Sequence, residues 1–377
     1  MKEIVFIFLT FMFLTTSMAF SHDIVNTDNL ELSIGANFRT LYWSYTNIPR
    51  YAGFLCNEQG LYPVIARMNL SGNYKERIYF YFDGGYYNYW YYDSMFHRFD
   101  FFDEYIYIAN VVLDLNILKI KGGLDLIPTG IEPSTRDTEL HFLRPSFTTF
   151  FLTPERETGI SFIFTPTIFK RNDLLNLSFG VYNHLNTERF FNPDGWDRRF
   201  LLDLPYLVSF DFRPIKQFRL TGYYGQDTAW SWQNGEAHNY LANNSIILYG
   251  MGTEYKIKNL GFNVDYFYVH SINRSEGFLY GPYNMASLGG QMTLYYRLPA
   301  IKFLSFEPAF RIDISDIDKH GMYDRTFTYS YGINTYSLDD HLKIMLDYIH
   351  PVEELNKEKN EQPTINDEFL AGFQITI

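Results

Sequence analysis

The 377-residue sequence holds a single cysteine, Cys56, so no internal disulfide can form, and no set of metal-ligand partners is spaced around it. After the first turns of the chain there is no apolar run long enough to cross a bilayer as a helix, which excludes a bundle of membrane helices. Positive charge is also short. Lys and Arg number 31 against 43 Asp and Glu, a formal net charge of -12, and that balance argues against nucleic acid as a partner. No glycine-rich phosphate loop occurs, nor a G-x-S-x-G elbow. Histidines are thin and scattered: His141, His184, His238 and His320 fall in different connections, so their spacing defines no metal site. His270-Ser271 is the nearest approach to a hydrolytic pair and lacks a third partner, so the sequence does not read as an enzyme and implies no cofactor.

What the chain does contain is aromatic side chains, 19% of all residues, with 32 Tyr and 36 Phe. At the start, Lys2 precedes the apolar run at 4–14, and Ala19-Phe20-Ser21 places small residues where a signal peptidase reads. Residues 1–21 are therefore expected to be a cleaved secretory signal. Residues 22–377 follow as one domain.

Alternation of apolar and polar residues marks that domain as all-β. From 30 to 43, Leu30, Leu32, Ile34, Ala36, Phe38 and Tyr42 share one face, and Glu31, Ser33, Asn37 and Arg39 share the other. From 369 to 377, Phe369, Ala371, Phe373, Ile375 and Ile377 alternate with Gly372, Gln374 and Thr376. Between these ends, strands are expected at 61–71, 77–85, 101–111, 118–126, 158–166, 174–184, 206–214, 218–225, 245–255, 260–272, 285–298, 304–315, 326–337 and 341–351. With the two terminal ones the count is about 16, even as a bacterial single-chain barrel requires.

The connections carry a further signal because short and long ones alternate. Short ones sit at 73–76, 170–173, 215–217, 258–259 and 339–340. Long ones sit at 46–60, 86–100, 185–205, 226–244, 273–284 and 352–366. A membrane barrel places turns on one side and loops on the other, whereas a soluble sandwich has no reason to. Clustered aromatics at Tyr86–Tyr92, Phe99–Phe102 and Trp230–Trp232 suit interfacial girdles, with sugar stacking along 86–92 as the other use.

Parity then divides the wall. It turns Arg39, Arg67, Lys119, Lys121, Asp125, Arg219, Arg297, Arg311 and Asp313 toward the lumen, together with Arg77, Asp83, Asp211, Arg213, Asp265, Glu307, Lys343 and Asp347. Opposed rows of charge across a wet lumen would tune ion passage; cross-strand salt bridges explain many of them equally well.

The stretch 121–159 breaks the pattern. It holds Pro128, Pro133, Pro145 and Pro154 between two strands, which suits a long ordered loop after the fifth strand. Its motifs G-x-x-x-x-P-T-G-x-E from Gly123, S-T-R-D-T-E-L-x-F from Ser134 and P-E-R-E-T-G from Pro154 resemble the phosphate-selective porin O and P family. So do Ala66–Gly72, the FDEYIYI run from Phe102, Phe179–Asn183, Gly332–Tyr336 with the LKIMLDYIHP run, and the FLAGFQITI end, although the last residue is Ile377 where the family has Phe. The resemblance implies a homotrimeric porin in the outer-membrane bilayer, passing small hydrophilic solutes or ions, with anions such as phosphate as the family name suggests. It also implies that the long loop folds into the lumen, where Arg136, Asp137, Glu139, Arg144, Glu155, Arg156 and Glu157 would line a constriction; for Arg156 and Glu157, anchoring the loop base is the equal alternative. The other reading of the whole is a barrel that serves surface contact with its lumen blocked.

Overall fold

A computed structural model describes residues 22–27, 29–45, 60–93, 98–154, 156–169, 171–183, 185, 205–229, 244–272, 284–316, 325–337, 340–353 and 367–376. The expected signal segment, Cys56, Glu155, Ile377 and most of the long connections lie outside the described residues, as do the side chains of Tyr86–Tyr92, of Phe99–Phe102 and of Trp230–Trp232.

Among the described residues the strands are β1 (His22–Asn26), β2 (Leu30–Tyr45), β3 (Gly60–Tyr74), β4 (Ile78–Asp93), β5 (Arg98–Asp114), β6 (Leu118–Leu126), β7 (Arg156–Phe164), β8 (Leu175–Tyr182) and β9 (Tyr206–Ile215). They continue as β10 (Phe218–Ala229), β11 (Asn244–Ile257), β12 (Leu260–Ile272), β13 (Asn284–Tyr296), β14 (Ser305–Asp316), β15 (Arg325–Ser337), β16 (Leu342–Glu353) and β17 (Glu368–Thr376). From β2 to β17 each strand pairs antiparallel with the next, and β17 returns to β2, with Thr376 opposite Asn37 and Glu368 opposite Tyr45. The sheet is thus a closed barrel of sixteen strands, β2 through β17, and closure leaves it without an open edge. β1 lies on the same side of β2, further along, with His22 opposite Ile34 and Asn26 opposite Glu31. It takes up the part of β2 beyond the end of β17.

The alternation explains the two faces. Apolar side chains such as Met68, Ile106, Ile160, Met251, Tyr331 and Ile333 are exposed on the outside, while Asp83, Asp265, Gln291, Arg311, Asp313, Asn334 and Asp347 are buried on the inside. That inversion of the usual core is what a lipid-facing wall requires.

All sixteen expected strand positions carry strands of the barrel, and two features differ from expectation. β1 is additional. The connection expected at 86–100 is mostly strand, because β4 runs to Asp93 and β5 begins at Arg98. The tyrosine-rich run offers no apolar/polar alternation to detect, yet its residues favour extended backbone.

One irregularity aims a side chain. The β4–β5 register slips so that Asp83 faces Ile108 and Gly84 faces Ile106, leaving Tyr107 as the extra residue of a bulge, buried toward the inside. Beside the slip, Gly85 has φ +144, and a Cβ there would meet the Ala66 carbonyl oxygen at 2.4 Å. Gly85→Ala should therefore lower stability by about 1–3 kcal/mol, measured as reduced resistance of the folded barrel to heat in detergent. An unchanged transition would show that this glycine is dispensable to the bulge.

Candidate functional site

The segment 127–154, between the fifth and sixth barrel strands, lies against the inner wall. It has little regular structure: a 3-10 turn at Asp137–Glu139 and a six-residue helix, α1 (Phe147–Leu152), whose first turn is capped when Ser146 Oγ accepts from the Thr149 N–H at 3.0 Å. A chain segment inside a barrel must still satisfy its own backbone groups. Here the wall does so.

Acids on alternate strands accept the segment's N–H groups. Asp265 on β12 accepts from Ile131 at 2.7 Å and Glu132 at 2.9 Å. Asp313 on β14 accepts from the Thr148 N–H at 3.0 Å and also from its hydroxyl. Asp347 on β16 accepts from Leu143 at 2.7 Å. Donors on neighbouring strands bind its carbonyls: Arg39 to Asp137 at 2.6 Å, Gln374 to Thr138 at 2.9 Å, Lys343 to Leu140 at 2.5 Å, Asn334 to His141 at 2.8 Å, and Arg311 to Arg144 at 3.1 Å. These residues sit on β2, β17, β16, β15 and β14. The wall reads the segment mainly through its backbone.

Ion pairs add to this frame. Glu132 bridges three places, receiving Arg311 of β14 at 3.1 Å, the Ser146 N–H at 3.0 Å and the Thr149 hydroxyl at 2.6 Å. Arg67 on β3 stands between Asp83 (3.3 Å) and Asp137 (2.8 Å) with its guanidinium 3.8 Å from the Tyr107 ring centre. Glu307 on β14 accepts from Asn334 and Tyr336, both at 3.0 Å, and pairs with His141 at 2.9 Å; the His141 ring stacks on Tyr295. Arg144 reaches Glu368 at 2.7 Å. Close approach depends on three inward glycines. A Cβ at Gly289, Gly332 or Gly372 would meet Thr148 at 2.1 Å, Phe142 at 2.9 Å or Leu143 at 2.1 Å respectively.

Near β8 to β12 the inside is apolar instead: Ile127 and Leu152 of the segment join Leu207, Tyr223, Leu248, Phe267 and Val269 in one cluster. On the other side, toward the short turns, a water-accessible cavity of about 470 Å³ remains. Asn37, Asn69, Ser71, Tyr81, Asp83 and Gln374 of the wall line it, with Arg136, Thr138 and Glu139 of the segment and with Tyr336, Asp340 and Lys343. At its rim, the Arg297 guanidinium donates to the Asp340 carboxylate and holds it below the ordinary aspartate range. Asp340 thus contributes stability above that range and loses it as pH falls through the depressed value, and its half-exposed side chain keeps the effect small.

The residues singled out from the sequence divide by place. Arg39, Arg67 and Arg311, each 2% exposed, and Asp313, 1% exposed, lie beneath the segment and bind it or one another. Asp137 is buried against Arg67, whereas Arg136 and Glu139 face the cavity. Arg156 lies over the Tyr107 ring at 4.5 Å, and Glu157 stands opposite Asp125 in the β6–β7 pair. Lys119 pairs with Asp114 at 2.9 Å, Lys121 with Asp125, Arg219 with Asp211 at 2.9 Å, and Arg297 with Asp340, so these form local couples on the wall itself. Glu132, His141, Thr148, Gln291, Asn334 and Gln374 also take part in the frame, and no spacing in the sequence singles them out. Glu132, His141, Asn334 and Gln374 stand inside stretches that carry the family resemblance, and Thr148 and Gln291 do not.

No protein-family model and no curated protein matches the chain. Solved structures do. OmpF of Salmonella typhi, solved in complex with daunomycin, shares 12% identity over 94% of this chain and 100% of its own, with a TM-score of 0.61. An anion-selective porin from Comamonas acidovorans shares 11% identity over 92% and 100%, with a TM-score of 0.59. In-vitro folded OmpT of Vibrio cholerae, described as a trimer form, shares 10% over 93% and 100%, with a TM-score of 0.58. At these identities what is common is the fold: the chain has the closed barrel of bacterial outer-membrane porins.

Proposed function

We propose that this protein is an outer-membrane porin that lets small hydrophilic solutes or ions diffuse passively. The observation that carries the reading is the segment held along the inner wall, which leaves a polar, charged cavity beside it inside a barrel with an apolar exterior. In such a channel the segment sets the narrowest cross-section, and the charges that meet passing solute are Arg136 and Glu139, while Arg144 pairs with Glu368 and Arg156 lies over the Tyr107 ring. Arg39, Arg67, Arg311 and Asp313 act one step back, by fixing the segment. A homotrimer belongs to the same proposal, as does removal of residues 1–21 on export, which N-terminal sequencing of the mature protein would check.

Selectivity for anions such as phosphate, and membership of the O and P family, form the finer part of the proposal. Their support is the set of motifs along the chain and a cavity-facing arginine. The test is conductance of the refolded protein in a planar bilayer, with reversal potential under a salt gradient and then with phosphate added. Stepwise openings are expected. Block by phosphate with an anion-favouring reversal potential would support the finer reading, and a cation-favouring one would remove it. A folded barrel that never conducts would replace the porin with a surface-contact protein.

A further inference from the structure

The charges of the inner segment are neutralised with two exceptions. Glu132 has Arg311, Asp137 has Arg67, His141 has Glu307 and Arg144 has Glu368. Arg136 and Glu139 have no ionic partner among the described residues, and both line the cavity. They also do not neutralise each other. The Glu139 N–H donates to the Arg136 carbonyl at 2.9 Å across the 3-10 turn, a geometry that sets residues three apart on one side and about 6 Å along the axis. The Arg136 guanidinium, however, is drawn to Tyr81 on β4, 4.2 Å from the ring centre, and donates to its hydroxyl at 3.2 Å. A cation and an anion are thus held apart on one edge of an open space. The remaining cation, Lys343, is already committed to the Leu140 carbonyl.

The rest of the lining suits the same occupant. Asn37, Asn69, Ser71, Thr138 and Gln374 are neutral hydrogen-bonding groups, and the two further acids of the lining are already paired, Asp83 with Arg67 and Asp340 with Arg297. We propose that this cavity is a binding subsite for small zwitterions of the α-amino-acid class. Arg136 takes the carboxylate through its paired N–H groups, Glu139 takes the ammonium, and the amides and hydroxyls replace the solute's water. Monopolar solutes use only half of the site. The proposal deepens the channel reading and rests on it for the route by which the solute arrives.

The test is saturation-transfer NMR on the refolded full chain in detergent, with glycine, acetate and methylammonium as probes, run beside bilayer conductance. Glycine should bind at least about tenfold more tightly than either monopolar probe, and Arg136→Gln and Glu139→Gln should each weaken it by about ten- to hundredfold. Glu139→Gln removes no ion pair among the described residues and Arg136→Gln gives up only the contact with Tyr81, and retention of heat-modifiable gel migration verifies the fold. Equal binding of acetate and glycine would overturn the zwitterion site in favour of a simple anion site. Absence of glycine binding to a conducting barrel would overturn the subsite and leave the channel standing. Glycine binding by a barrel that never conducts would do the reverse.

Discussion

Replacing Arg311 with methionine should expose the segment 127–154 to trypsin while leaving the barrel folded. Arg311 holds three parts of the segment at once: the Glu132 carboxylate at 3.1 Å, the Arg144 carbonyl at 3.1 Å, and the Phe142 ring, whose centre lies 4.4 Å from the guanidinium carbon. Methionine fills much of the volume and removes the charge, so Glu132 is left buried without its cation. Breaking one side of a buried pair costs about 3–5 kcal/mol, enough to raise the open population by roughly two to four orders of magnitude. Cleavage would fall after Arg136, the one arginine of the segment not followed by proline, since Arg144 precedes Pro145. The double variant Arg311→Met with Glu132→Gln should recover part of the protection, since no unpaired charge then remains. If the single variant resists trypsin as the parent does, Arg311 is not what fastens the segment.

Gly289→Val and Gly372→Val should lift the segment from the wall at two places. At Gly289 the first added carbon would meet Thr148 at 2.1 Å and Leu152 at 2.7 Å, both on α1; at Gly372 it would meet Leu143 at 2.1 Å. Thr148 is tied to Asp313 through both its N–H and its hydroxyl, and Leu143 is tied to Asp347 through its N–H, so the segment is held close to the wall at both positions. Overpacking of this kind costs about 1–3 kcal/mol, and the cost falls on docking of the segment before it falls on the ladder. Hydrogen exchange would show it as faster exchange at Leu143 and Thr148. Gly122→Val is the control: on the outer face of β6 its new Cβ would find only Ile160, at 4.0 Å, so protection of the segment should not change. Equal effects at all three positions would mean that valine acts on the strands rather than on the segment.

The barrel was legible because its physics is local. One face meets lipid and the other meets water or the segment, so period-2 alternation survives in each strand and a one-residue error would be visible. The segment was legible as an interruption, since four prolines cannot be fitted into a ladder. What parity could not reveal is what covers an inward residue. Asp265, Asp313 and Asp347 have the same inward parity as Lys119 and Asp125, yet the first three accept backbone N–H groups from a segment more than a hundred residues away, while the last two pair along the wall. Amides such as Asn334 and Gln374 were silent for the same reason: their partners are carbonyls, and any residue has one of those.

The position of the anchors bears on how the closed molecule resists being pulled apart. The line where β17 meets β2 joins residues about three hundred and thirty positions apart in sequence, a closure with a large entropic cost that must be met late in assembly. Across that line Arg39 and Gln374 stand opposite each other, bonded at 3.0 Å, and both also grip the segment, at Asp137 and Thr138. Further out, the segment is fastened to β3 on one side of the line and to β16, β15, β14 and β12 on the other. It therefore works as a crossbeam over the weld: sliding the last strand along the first would have to tear these bonds together, and an early-made stretch of chain becomes fixed only when the final strand arrives.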